Sequence, residues 1–232
     1  SLVESTMLLG LQFSLVSILG GTIPVINDLN ASLFHKLKAY QYHLLHAQGV
    51  TVPRTLVTSC VDRARAFVRS LDGRVVAKPN TSAAEVVMAD ESFFAKNGAV
   101  IPERPFIFQQ FVSGRSYRAY VIGGRIVSAG EFFFDRTYVD WRERIERYEV
   151  VELEEETEEQ ISRAVEILGL GYCAVDFEYD TVTRKYYLLD FNPGGLYMGW
   201  SKMAGVDIPA LLVDYFLFVL KNGGRIWYDN KA

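Results

Sequence analysis

The stretch 186–195, YYLLDFNPGG, decides how this chain is read. Four apolar residues run into Asp190, and Asn192, Pro193, Gly194 and Gly195 follow. Side chains alternate along a strand, so Asp190 and Asn192 share one face and Phe191 takes the other. Pro193 removes a ladder donor, and the glycines allow a sharp turn. A carboxylate and a carboxamide are therefore held together at a strand end. Asp176 follows a similar apolar run in CAVDFEYD, and the polar TVTRK (181–185) between them reads as a turn. A hairpin over these strands sets Asp176 beside Asp190 and Asn192. Such an all-oxygen set suits magnesium or manganese rather than zinc or copper, and magnesium held by few protein ligands completes its shell with water and phosphate oxygens. The plain alternative is an Asx turn that caps the strand.

At 232 residues, 50% hydrophobic and 22% charged, the chain can bury a sizeable core as one large or two small domains. Its net charge of -4 gives no global basic field for nucleic acid or a membrane surface. Cys60 and Cys173 sit beside apolar runs outside any ligand pattern, as reduced core thiols of a cytoplasmic protein would. The opening LVESTMLLGLQFSLVSILGG lacks a basic flank and carries Glu4. Met7, Leu8, Leu11, Leu15, Ile18 and Leu19 fit one helix face, which predicts a core helix rather than a signal or a span. The chain begins abruptly, as a fragment or a member with a short N-terminal part would.

Further along, a strand is expected at 22–27, a helix over 33–49 and a strand over 54–59. A helix over 61–71 and a buried strand over 73–79 follow. Strands at 106–112, 117–123 and 125–134 turn at Gly123-Gly124; the acidic-fronted EEETEEQISRAVEILGLG is a helix, and an apolar helix over 206–224 closes the chain. The class is α+β with mixed or antiparallel sheets.

The cations matter next. Lys78 closes the run VVAK, where a partly buried ammonium needs an anion such as phosphate. Lys38 opens a helix, where the dipole does not favour it, and Lys36 competes for the same role. Arg118 lies in an otherwise apolar strand, and Arg142 follows a tryptophan in DWR; guanidinium forks suit phosphate and carboxylate. His35, His43 and His46 lie on one helix without a carboxylate or cysteine nearby and read as surface or packing residues. There is no P-loop, no GxGxxG and no GxSxG elbow.

In order, LKAYQYHLLHAQGVTVPRTLVTS, VVAKPN, FIFQQFVSGRSYRAYVIGGRIVSA, AVDFEYD and YYLLDFNPGG resemble the ATP-grasp superfamily from about residue 20 to near the C-terminus. The nearest subfamilies are the ribosomal-protein glutamate ligases and the peptide-modifying graspetide synthetases, and DWR and NPGG lean toward the latter. The resemblance implies ATP clamped between two α+β subdomains. Residues 1–32 would end a short N-terminal part, 33–112 would form the small subdomain with lid and hinge, and 113–232 the C-terminal subdomain. By position, Lys38 and Lys78 would contact the nucleotide, and Gln109, Gln110, Phe111 and Val112 would hold adenine through backbone groups. Arg118 and Arg142 would face the phosphates as catalytic groups, and Asp176, Asp190 and Asn192 would hold magnesium, with manganese as a substitute. The implied activity joins a carboxylate to an amine through an acyl phosphate, forming an amide or peptide bond. A small-molecule kinase and a catalytically impaired nucleotide-binding module are the alternatives. The two substrates are not identified; nucleic acid and membrane are not expected partners, and the apolar first helix offers an interface for a homo-oligomer. The sequence departs from the family's pattern where Asp190 replaces a usual glutamate, and the loop after Lys78, NTSAAEVV, has no glycine.

Overall fold

Two antiparallel sheets carry the fold. The computed structural model describes residues 2–79, 86–134 and 145–227. The first sheet has four strands in the order β1 (Thr55–Thr58), β4 (Phe106–Gln110), β2 (Val75–Pro79), β3 (Val87–Met88). The second has five, in the order β7 (Ile145–Val150), β6 (Arg125–Phe134), β5 (Gly114–Ile122), β8 (Tyr172–Asp180), β9 (Lys185–Asn192).

Alternation explains how the first sheet is used. Val75, Ala77, Phe106 and Phe108 point to α4 (Val61–Arg69) and α5 (Glu91–Asn97), where Phe93 and Phe94 complete an aromatic core. Each fully buried phenylalanine stabilises this layer by roughly 2 kcal/mol. Asp90 caps α5 by accepting from the Phe93 amide at 2.9 Å. The opposite face presents Lys78 and Gln109.

The second sheet is covered on both sides. One face packs Tyr117, Ala119, Val121, Val175 and Phe177 against Tyr42 and Leu45 of α3 (Lys38–Ala47) and against Ile161 and Ala164 of α6 (Glu155–Ile167). On the other, Tyr120, Phe132 and Ala174 meet Trp200 of α7 (Met198–Ala204) and Ile208, Tyr215 and Val219 of α8 (Ile208–Lys221).

Four expectations are corrected. Residues 22–27 form no strand: Thr22 and Ile23 donate to Leu19 O at 2.9 and 2.8 Å, Pro24 has no donor, and Asn27 bonds Tyr172 through its side chain. The helix over 33–49 is two, α2 (Leu29–Phe34), capped by Asp28, and α3, broken at residues 35–37. The first helix, α1 (Leu2–Gly20), is not a core helix; its apolar residues surround the axis, a pattern that needs covering on every side, and Met7, Leu8 and Ile18 are left 70, 67 and 67% exposed among the described residues. Cys173 is buried, but Cys60 is exposed just before α4. Among the described residues no single helix is long and apolar enough to cross a membrane.

Candidate nucleotide and metal site

The hairpin of β8 and β9 turns through residues 181–184, and Asp180 closes it by accepting from the Val182 amide at 3.0 Å and the Thr183 hydroxyl at 2.8 Å. The register sets Asp176 opposite Asp190 and Ala174 opposite Asn192. On the other side of β8, Arg118 of β5 lies opposite Asp176. One row of charged side chains thus crosses three adjacent strands: Arg118, Asp176, Asp190.

Each acid meets one cation. Arg118 donates from Nε and Nη2 to the two oxygens of Asp176 at 2.5 and 2.9 Å, a bidentate fork. Lys38, the first residue of α3, donates to Asp190 Oδ1. Lys36, its competitor, instead lies over the Phe13 ring at 5.5 Å. Lys78 projects from the first sheet and donates to Gln109 Oε1 at 3.1 Å and to the Tyr42 hydroxyl at 3.4 Å. Tyr42 in turn donates to Leu189 O at 2.5 Å, beside Asp190. Both lysines, one from each layer, therefore converge on the end of β9.

The two carboxylates differ in their electrostatics. Burial pushes the Asp176 carboxyl above the usual carboxylate range, and the Arg118 guanidinium pulls it back only in part. Burial pushes Asp190 upward as well, but Lys38, then His35 and Lys78, outweigh it and hold that carboxyl below the usual range. Burial opposes the charge of Arg118, yet its bonds to Asp176 carry the guanidinium above its ordinary value, so it stays charged at any working pH.

The donor set fits a hard divalent cation, since Asp176, Asp190 and Asn192 offer only oxygen. Both Asp176 oxygens are occupied by Arg118 and its side chain is 14% exposed, whereas Asp190 is 35% exposed. Asn192 Oδ1 accepts from the Gly194 amide at 3.0 Å, so the Asx turn also forms, and a second lone pair remains. Of the two carboxylates Asp190 is the more accessible, and a cation binding there would compete with Lys38.

The loop after Asn192 is pinned by groups that the sequence reading missed. Tyr172 and Tyr120 donate to Gly195 O and Leu196 O at 2.6 and 3.2 Å, and Asn27 donates to Pro193 O at 3.1 Å. Tyr42 was findable, since it lies one helical turn from Lys38; Asn27, 166 residues from Pro193, gave no local signal. The two glycines are not equivalent. A Cβ at Gly195 would come within 2.3 Å of Ala174 Cβ, while at Gly194 the nearest heavy atom is 3.9 Å away. Neither takes a positive φ, so space at Gly195, rather than turn geometry, sets the requirement.

The adenine-binding expectation narrows. The Gln110 amide donates to Arg54 O at 2.8 Å and the Phe111 amide to Arg74 O at 3.0 Å, leaving Val112, buried after the end of β4, as the amide without a partner among the described residues of this segment. Gln109 contributes its side chain, bonded to Lys78 and Thr55. Arg142 lies outside the described residues.

Residues 35–194 match the ATP-grasp domain family. The chain belongs to the ATP-grasp family. Among solved structures, the ATP-grasp ligase PsnB in complex with a minimal precursor is 28% identical, with a TM-score of 0.74 over 83% of this chain and 64% of that one. The RiPP-associated ATP-grasp ligase of Chryseobacterium gregarium, in complex with ADP and a leader and core peptide, is 20% identical, with a TM-score of 0.74 over 90% of this chain and 69% of that one. D-alanine–D-alanine ligase of Bacillus anthracis is 18% identical, with a TM-score of 0.69 over 91% and 76%. This ATP-grasp chain spans 64% of the length of PsnB. No curated protein matches the sequence significantly.

Proposed function

We propose that this ATP-grasp chain is, or is the catalytic portion of, an ATP- and magnesium-dependent ligase that joins a carboxylate to an amine. The observation that carries the reading is the convergence of Lys38 and Lys78, from different layers, on the strand end that holds Asp190 and Asn192. Two ammonium groups at an oxygen-rich strand end suit a polyphosphate and its counter-ion. The ion, when bound, neutralises phosphate charge.

The chain's own groups do the rest by positioning and electrostatics. Lys78, oriented by Gln109, meets phosphate oxygens. Val112 offers its amide to the adenine edge. Asp190 would hold the ion with Asn192, and Lys38, freed from Asp190 by that ion, would turn to the nucleotide phosphates. Arg118, held rigid by Asp176, faces the reacting carboxyl with its remaining N–H groups. The substrate carboxylate takes the γ-phosphoryl group to give an acyl phosphate and ADP, and an amine then displaces phosphate. PsnB has been solved with a precursor peptide and the Chryseobacterium ligase with a leader and core peptide, and a peptide is the substrate class we assign here.

Isothermal titration of ATP with and without magnesium tests the reading. Magnesium-dependent binding that is lost in Asp190→Asn, together with peptide-stimulated ADP release, supports it. Equal binding by wild type and variant removes the metal assignment, and no binding removes the nucleotide assignment.

A further inference from the structure

Beside the candidate nucleotide site, α3 and β1 flank an open cleft of about 450 Å³. That volume is in the range that holds a small organic molecule. α3 contributes His43 and His46, which are neighbours on a helix surface at that spacing. Arg54 lines the cleft from the segment leading into β1, with its guanidinium 5.8 Å from the Phe67 ring centre. Among the described residues no carboxylate lines the cleft. Among the described residues, the side chains of His43, His46 and Arg54 make no hydrogen bond or ion pair, in contrast to the paired Arg118 and Lys38 nearby. Val52, Val57 and Phe67 supply an apolar wall.

A guanidinium and two imidazoles, all solvent-exposed and without a hydrogen-bonding or ionic protein partner among the described residues, beside an apolar wall make a complementary surface for one kind of molecule. We propose that the cleft binds a small organic anion, its carboxylate or phosphate head met by His43, His46 and Arg54 and its apolar or aromatic body lying against Val52, Val57 and Phe67. The cleft is separate from Lys38, Lys78 and Asp190, none of which lines it, but it shares two walls with the environment of Lys78. Tyr42 accepts from Lys78, and Thr55 accepts from Gln109, whose Oε1 also accepts from Lys78. An occupant is therefore two hydrogen bonds or fewer from the nucleotide lysine.

The test titrates benzoate, phenyl phosphate and neutral benzamide into the protein held with saturating magnesium and a non-hydrolysable ATP analogue, following the His43 and His46 ring resonances by NMR. The same titration without nucleotide reports on the cleft even if the nucleotide reading fails. One or both anions are expected to move both resonances, and the preferred anion identifies the head group. His43→Ala/His46→Ala and, separately, Arg54→Gln are expected to weaken that binding about tenfold, the scale of a lost charge-assisted hydrogen bond. Circular dichroism confirms that these exposed substitutions leave the fold intact. Anion binding that leaves both resonances unmoved, equal binding of benzamide, unchanged affinity in both variants, or no binding of any probe each overturns the proposal.

Discussion

Asp176 and Asp190 are the same residue type, opposed in register on adjacent strands, yet they serve different ends. Asp176 lies on β8, flanked by β5 and β9, and takes a two-point fork from an arginine on the neighbouring strand. Asp190 lies on the edge strand β9 and takes one point from a lysine on a helix. An interior strand offers an acid fixed, desolvated partners; an edge strand leaves it open to exchange. The interior pair is a strut, and the edge pair, in the function proposed above, is a latch that a metal or phosphate would open.

The largest effect that would break this contrast is at Asp176. Asp176→Ala strands a buried guanidinium and is expected to cost about 3–5 kcal/mol, read from urea unfolding. A loss near zero would mean that the fork is no strut. Gly195→Ala comes next. The collision with Ala174 cannot be relieved by a side-chain rotation and is expected to cost about 1–3 kcal/mol, whereas Gly194→Ala stays near neutral.

At Asp190 the expected stability cost is smaller, about 1 kcal/mol or less, because the pair is over a third exposed on the acid's side. The sign of its pH dependence follows from its depressed folded value. Its contribution is present above the ordinary carboxylate pKa of about 4 and is lost as pH falls through the lower folded value. Asp190→Asn should therefore lower the urea midpoint slightly at neutral pH, leave the most acidic points unchanged, and so flatten the limb between them. The smallest effect concerns chemistry alone. Cys60 is expected to react with a thiol reagent at once. Cys173, on β8 and with its thiol pushed up by burial, should react only as that strand opens. Fast labelling of Cys173 in the native state would contradict a rigid interior strand.

The contrast was half legible in advance. Alternation along YYLLDFNPGG and CAVDFEYD, with a polar turn between, was enough to bring Asp176 and Asp190 together, because a hairpin is local and its period is two. Lys78 at the end of its strand and Lys38 at the start of its helix were likewise readable. Helix pattern alone left Lys36 competing with Lys38, and only the family resemblance favoured Lys38; the break at 35–37, which puts Lys36 outside α3 and Lys38 at its start beside β9, appears only in the structure. The partners also escaped: nothing local ties Arg118 to Asp176, 58 residues away, or Asn27 to Pro193. The first helix misled because apolar composition reports a tendency to be buried and not the surface that buries it.

The sequence by itself determined the strand ends and their chemistry: which residues are acidic, which face they share, and where proline and glycine stop the ladder. These follow from nearest-neighbour geometry along one chain. Only the tertiary structure decided which acid is a strut and which a latch, why Gly195 is needed and Gly194 is not, and that His43, His46 and Arg54 face one cleft. Those depend on strand order, helix docking and distances between segments far apart in sequence, where a shift of one residue or a few ångströms changes a partner into a stranger.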